Sequence, residues 1–300
     1  MSAPRALLAG LVDYAGLFPP AGLDMATAVR NYAGYRAGDH AWMLGRFVAP
    51  VARLNELSDA LTTTGCDTSS PWRLTGLLGA EADLEREVAR AHEHNAQSGD
   101  VTIDSLEART DTPAAIRRLA SAACSGGRTV TAFAEIPLDG PEPLIAAIAH
   151  AELSAEIRTG GVTADAIPAP DAVLRALKAC TAAGVPVKAT AGLHHPIRGE
   201  YALTYDPAAP RATMFGFLNV FLAAAFLRHG LDDADALRLL EERDPRAFEF
   251  DHDSIRWRSN ALSAAQVRDA RDAGARSFGS CSFREPVDDL RALAWLPLPG

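Results

Sequence analysis

The sequence predicts a (β/α)8 TIM barrel with an elaborated region before its last strand, and three observations predict it. Apolar, β-rich runs recur roughly every 25–35 residues, the period of a strand–helix unit. Helix signals with recognisable starts and stops fill the gaps, and such alternation builds a parallel sheet with helices outside. No GxGxxG follows the first run, which weighs against an open doubly wound sheet as the alternative. Eight runs close a barrel, and 300 residues is an ordinary length for one such domain, here residues 1–300.

In chain order the strands fall at 7–17, 43–50, 72–79, 101–108, 129–137, 153–160, 185–193 and 277–283. Each is a short apolar run, as expected of a parallel strand buried on both faces. Asp24 caps a helix over 25–37, and a second helix, 51–64, starts after Pro50 and stops at Gly65. The stretch 80–97 is amphipathic, with Glu and Arg on its outer face. Asp111, Thr112 and Pro113 open a helix at 114–124 that stops at Gly126 and Gly127. Pro170 and Asp171 open another at 172–183 that stops at Gly184.

The period breaks at about 196–275. That region holds a turn-rich loop (196–211), a very apolar helix (214–229), a second helix (233–243), a small hairpin (248–257) and a helix at 263–272. It reads as an elaborated seventh unit, not a second domain. Residues 248–250 are an alternative barrel strand, which would shift the strand count.

Composition excludes several roles. The formal charge is −9 and basic residues are scattered, so nucleic acid and membrane surfaces are not expected partners. The expected partner is a small molecule, and the apolar helix around Asn219 is expected to be buried or to form a homo-oligomer contact. Cys66, Cys124, Cys180 and Cys281 show no CxxC pairing and read as free thiols in a reducing compartment. The apolar stretch before Asp13 is too short for a signal peptide, so a cytoplasmic location is expected. The most apolar segment, 214–227, falls short of the roughly 20 residues of a membrane span.

Two lysines, Lys178 and Lys188, stand against 27 arginines. Lys178 lies in a helical stretch where any long polar side chain would serve. Lys188 lies in a strand running into a loop. Arginine cannot form an imine, whereas a desolvated lysine amine loses its proton and attacks a carbonyl.

In a barrel, alternate strand residues face the axis and catalytic groups sit at the C-terminal strand ends. By that alternation Glu156 and Arg158 point inward past Ile157. Glu135 closes its strand on the phase of Phe133, and Lys188 shares a face with Thr190, with His194 further along. Arg46 and Glu107 take similar positions. Charges in segments apolar enough to be core must be paired or functional. As pairs they would order the interior of a non-catalytic binding barrel with a closed, apolar mouth.

Three chemistries fit. In the first, Lys188 forms a Schiff base, Arg158 and desolvation lower its pKa, and Glu135, Glu156 and His194 handle protons, with no cofactor required. In the second, Glu107, Glu135, Glu156 and His194 or His195 hold divalent Mn, Zn or Mg for an isomerase, hydrolase or lyase reaction. That set loosely resembles barrel isomerases of the xylose-isomerase-like kind. Adjacent histidines on a strand point to opposite sides, so one of the two would ligate. His92 and His94 read as solvated helix surface. In the third, Cys281 is a nucleophile, against the commoner role of a small packing residue.

Val187, Lys188, Ala189, Thr190, Ala191 and Gly192 resemble the strand that carries the imine-forming lysine of deoxyribose-phosphate aldolase and related class I aldolases, hydrophobic-Lys-Thr-Ser-Thr-Gly. The likeness covers six residues, departs at Ala189 and Ala191, and lacks the second lysine those aldolases carry on the following strand. It implies Lys188 as nucleophile. The whole chain also resembles a bacterial hypothetical-protein family of TIM-barrel type, on residues 11–21, 216–222 and 278–283 with Glu285 and Pro286. That likeness brings no activity with it.

Substrate anchoring has its own signals. Arg46 and Arg158 are placed to pair with an anion. Gly160 and Gly161, Ser280 and Ser282, and Thr190 offer backbone N–H groups and hydroxyls at strand ends. The loop 196–210 is long enough to be a lid, and Tyr14 and Phe18 with Pro19 and Pro20 would wall the same mouth. The expected activity is aldolase-type C–C lyase or isomerase chemistry on a small anionic carbonyl metabolite.

Overall fold

Burial on both faces draws the apolar runs into one closed parallel barrel; the computed structural model describes residues 1–79, 84–124 and 130–296. The chain begins α1 (Ala3–Leu8), β1 (Val12–Tyr14), α2 (Met25–Arg36), β2 (Leu44–Pro50), α3 (Leu54–Thr64), β3 (Trp72–Leu77), α4 (Leu84–Gln97) and β4 (Val101–Arg109). It continues α5 (Pro113–Ala123), β5 (Thr131–Ile136), α6 (Glu142–His150), β6 (Ser154–Arg158), α7 (Pro170–Ala183) and β7 (Val187–Thr190). The elaborated region follows. It contains an antiparallel hairpin, β8 (Gly199–Ala202) with β9 (Arg211–Met214), then α8 (Phe217–Arg228) and α9 (Asp233–Glu241). A small antiparallel sheet comes next, of β10 (Phe248–Phe250), β11 (Ser254–Trp257) and β12 (Asn260–Ser263). Then α10 (Ala264–Ala273) leads into β13 (Ala275–Ser280), and α11 (Arg284–Ala292) ends the chain's helices. The barrel order is β1-β13-β7-β6-β5-β4-β3-β2, so the eighth strand lies between the first and the seventh.

All eight expected strand runs supply barrel strands, most with shorter bounds; β4 runs one residue further and β13 begins two residues earlier. Residues 7 and 8, included in the first expected strand, belong instead to α1. Ser2 accepts the Arg5 N–H and Pro4 sits in the first turn, a helix start that the apolar composition masked. Residues 248–250 are not a barrel member; they edge the small outer sheet. The expected loop at 196–211 carries β8 and the start of β9, and α6, not anticipated, follows Pro141. Residues 80–83 of one expected helix, the Gly126–Gly127 stop and Thr129 lie outside the described residues.

The apolar helix α8 has no solvent face: Phe217 to Phe226 are all buried. Burial of each Phe or Leu there contributes about 1.5–3 kcal/mol. The one polar side chain within that buried stretch, Asn219, donates to the carbonyls of Leu239 and Glu242 at 2.8 and 2.9 Å and accepts the Arg198 N–H at 2.8 Å. Full satisfaction is what a buried amide requires. Among the described residues no helix is long and apolar enough to cross a membrane.

Register then sets the site. Glu135 pairs with Glu156 between β5 and β6, and Glu156 pairs with Lys188 between β6 and β7. On β4, Ile103 faces Leu74 and Ser105 faces Thr75, so Asp104 is an extra, bulged residue. Asn95 on α4 holds Ile103 by both its N–H (2.8 Å) and its carbonyl (2.7 Å) beside this bulge.

Candidate active site

The C-terminal strand ends surround a cavity of ≈ 280 Å³ whose floor carries Lys188, Glu107 and Glu156. Lys188 is buried, and its Nζ donates to Asp13 Oδ2 at 2.7 Å and to Glu107 Oε1. Asp13 is tied further: Oδ2 accepts from Ser277 Oγ at 2.8 Å, and Oδ1 accepts from the Arg46 N–H at 2.7 Å. The neighbouring Gly45 makes room for that carboxylate, since a Cβ there would lie 2.1 Å from Asp13 Oδ1. The Phe133 ring, 5.8 Å from Nζ, closes another side of the ammonium.

Electrostatics here run against the sequence expectation. Burial opposes the Lys188 ammonium, but Asp13, Glu107 and Glu156 outweigh it, so the lysine pKa is raised rather than lowered. Arg158, expected to depress it, instead reaches Glu135 at 3.4 Å on the rim. Asp13 is held below the usual carboxylate range: burial pushes it up, but Lys188 and Arg46 pull it down further. Glu107 is pushed up by burial, with Lys188 opposing and Asp13 and Glu135 adding. Glu156 goes well above its ordinary value, through burial first and then the Glu107 carboxylate. Its Oε2 is buried and has no partner. Both causes favour the protonated, uncharged form of Glu156 beside the Lys188 ammonium.

Of the other expected residues, Glu135, Arg158, Gly161, Thr190 and His194 line the cavity. Glu135 is shared between Arg109 (3.0 Å) and Arg158. Phe18, Pro19 and Pro20 wall the mouth as expected, and Leu203 and Met214 of the β8–β9 hairpin cover it. Arg46 does not reach the cavity. Its guanidinium is pinned to the bulged Asp104 at 2.6 Å, which also takes Arg73 at 2.7 Å. Gly160 packs rather than lines: a Cβ on it would meet Gly192 Cα at 2.9 Å, and Gly192 itself has φ +76°. Ser280 Oγ accepts the Ser282 N–H, and Ser282 Oγ accepts the Glu285 N–H, so both hydroxyls shape the turn into α11.

The two histidines diverge, but from the loop after β7 and not from the strand on which the sequence expectation put them. His194 lines the cavity with Nδ1 3.0 Å from Glu285 Oε2. His195 lies outside it, with Nδ1 2.6 Å from Asp289 Oδ2 and its ring stacked on Tyr201 at 3.6 Å. Among the described residues no three His, Cys, Asp or Glu side chains gather as a metal-ligand set. Asp13 and Glu107 are turned onto the Lys188 ammonium instead. Cys281 lines the cavity, 3.4 Å from Tyr205 Oη, and burial pushes its thiol pKa up, away from thiolate.

Sequence reasoning missed Asp13, Ser277, Glu285 and Tyr205. Asp13 carried a usable signal, a lone acid within the apolar run 11–15. The others are surface-compatible residues that only the closed barrel brings to the mouth.

Fold and site together define a (β/α)8 barrel with a lysine held among carboxylates at the C-terminal end of its strands. No family model and no curated protein sequence matches the chain. Among solved structures, the deoxyribose phosphate aldolase from Aeropyrum pernix, described as having a unique tetrameric structure, is similar to it. The likeness spans 97% of each chain at 15% identity, with a TM-score of 0.49.

Proposed function

We propose that the chain is an aldolase-type enzyme, a C–C lyase or isomerase that forms an imine between Lys188 and a small carbonyl substrate. One observation carries this: the Lys188 amine lies on the floor of a cavity at the catalytic end, with the unpartnered Glu156 carboxyl beside it. Glu107 takes a proton from the ammonium, and the freed amine attacks the carbonyl carbon; the C=O π pair moves to oxygen, which takes up a proton given off by the attacking nitrogen. Glu156 gives its proton to the resulting hydroxyl, which leaves as water while the nitrogen lone pair closes the C=N⁺ bond. The iminium puts positive charge on the same nitrogen, so the Asp13 carboxylate that stabilises the ammonium stabilises the intermediate too. Arg158, exposed on the rim, is placed for an anionic end of the substrate.

The test is borohydride reduction in the presence of small aldehydes and ketones, followed by peptide mass analysis. A reduced adduct on the Lys188 peptide is expected. Its absence across a broad panel, with turnover found by other means, would overturn the imine. The raised lysine pKa favours a second reading for that case. Lys188 would then stay an ammonium and donate a hydrogen bond to the substrate oxygen as enolate charge develops.

A further inference from the structure

One oxygen on α11 gathers two side chains from different parts of the mouth. Glu285 Oε2 lies 3.0 Å from His194 Nδ1, just after β7, and accepts from Tyr205 Oη at 2.8 Å, on the loop between β8 and β9. Burial raises the Glu285 pKa, but the His194 hydrogen bond and charge, the Tyr205 hydrogen bond and the His195 charge bring it below the usual range, which favours the carboxylate. A carboxylate only accepts, so the proton of a neutral His194 belongs on Nδ1 and the lone pair on Nε2. Nε2 has no protein partner among the described residues, and His194 lines the cavity.

The geometry points to His194 as the base that removes the proton α to the carbonyl, with Glu285 as its positioning residue and Tyr205 completing that carboxylate from the hairpin. This rests on the imine reading for its substrate, though its geometry stands without it. The Cα–H bond of the imine breaks and its proton goes to Nε2. The electron pair forms a C=C bond, and the C=N⁺ π pair returns to the Lys188 nitrogen, giving a neutral enamine. Reversal returns a proton to carbon from Nε2–H. The arrangement divides the labour: Glu107 and Glu156 make the imine at the floor, and His194 works on carbon from the wall. It also gives the hairpin a part in catalysis, since moving Tyr205 away leaves Glu285 with His194 as its one side-chain partner.

Two measurements on the full-length protein test this. The first is the ¹⁵N NMR signature of His194 in the wild type. An Nδ1–H tautomer is expected; a neutral His194 carrying Nε2–H would overturn the proposal. Glu285→Gln, whose amide can donate to Nδ1, is expected to flip the tautomer. The second is exchange of α-protons into D₂O with acetaldehyde and dihydroxyacetone as probes, read by proton NMR beside borohydride trapping. His194→Gln and Glu285→Gln are expected to slow exchange on the order of 10²-fold while still trapping the probe on Lys188. Tyr205→Phe is expected to slow it only several-fold. Unchanged exchange in His194→Gln overturns the base. Wild-type exchange without trapping overturns the imine and leaves the histidine assignment to the variants. If neither probe exchanges, the wild-type tautomer decides.

Discussion

Lys188 and Asp13 meet at 2.7 Å although they stand 175 positions apart and on strands that are not neighbours. Strand β13 runs between β1 and β7, and its contribution at that crossing is small: Ser277, which itself bonds Asp13, and Gly279. The ion pair therefore reaches through the barrel interior over a strand that leaves it room.

Removing one partner of this buried pair is expected to be costly. Asp13→Asn leaves Lys188 facing Glu107 and Glu156 with its best-ionised counter-charge gone. A loss of about 3–5 kcal/mol is expected, measured by urea unfolding. A loss under about 1 kcal/mol would mean the pair is not organising the interior.

Lys188→Arg keeps a cation at the floor and removes the imine-forming amine. Turnover is expected to fall at least about 10³-fold, with no borohydride adduct. Retained turnover in this variant would remove the lysine from nucleophilic catalysis.

Glu156 ties stability to pH. Its folded pKa lies above the ordinary 4.5, so the folded chain holds a proton that the unfolded chain releases. That contribution is fully present below pH 4.5 and is lost as pH rises through the folded value. Asp13 works in the opposite sense: its folded pKa lies below 3.8, so its contribution is present above 3.8 and lost as pH falls through the folded value. Stability measured by urea from about pH 5 to about pH 9 is expected to decline less steeply in Glu156→Gln than in the wild type. Parallel curves would show that Glu156 is ionised in the folded chain throughout.

Gly45→Ala probes the site from outside the cavity. The added Cβ would fall 2.1 Å from Asp13 Oδ1, so the carboxylate must move. A loss of about 1–3 kcal/mol is expected from this overpacking, with slower trapping at Lys188. Wild-type stability and trapping rate would mean that the Asp13 position is not critical.

The barrel was legible because parallel strands buried on both faces are apolar throughout, and eight such runs at a steady period have few other solutions. Where composition was ambiguous, the boundaries slipped: Leu7 and Leu8 continue an apolar run yet belong to a helix that starts from Ser2. Inward alternation correctly put Glu107, Glu135, Glu156 and Lys188 around one cavity. It could not say which charges pair, because pairing depends on closure. Arg46 was drawn away by a bulge at Asp104 that has no local sequence mark, and Asp13 was passed over as the end of an apolar stretch.

The eighth strand's place between the first and the seventh has a temporal consequence. A ribosome delivers Asp13 first, Lys188 175 residues later and Ser277 after both. Residues 275–280 pair with both β1 and β7, so without them the ladder has no member to join those two strands. Reactivity at Lys188 then reports on completion: a nascent or clipped chain lacking β13 has every floor residue but no enclosed floor.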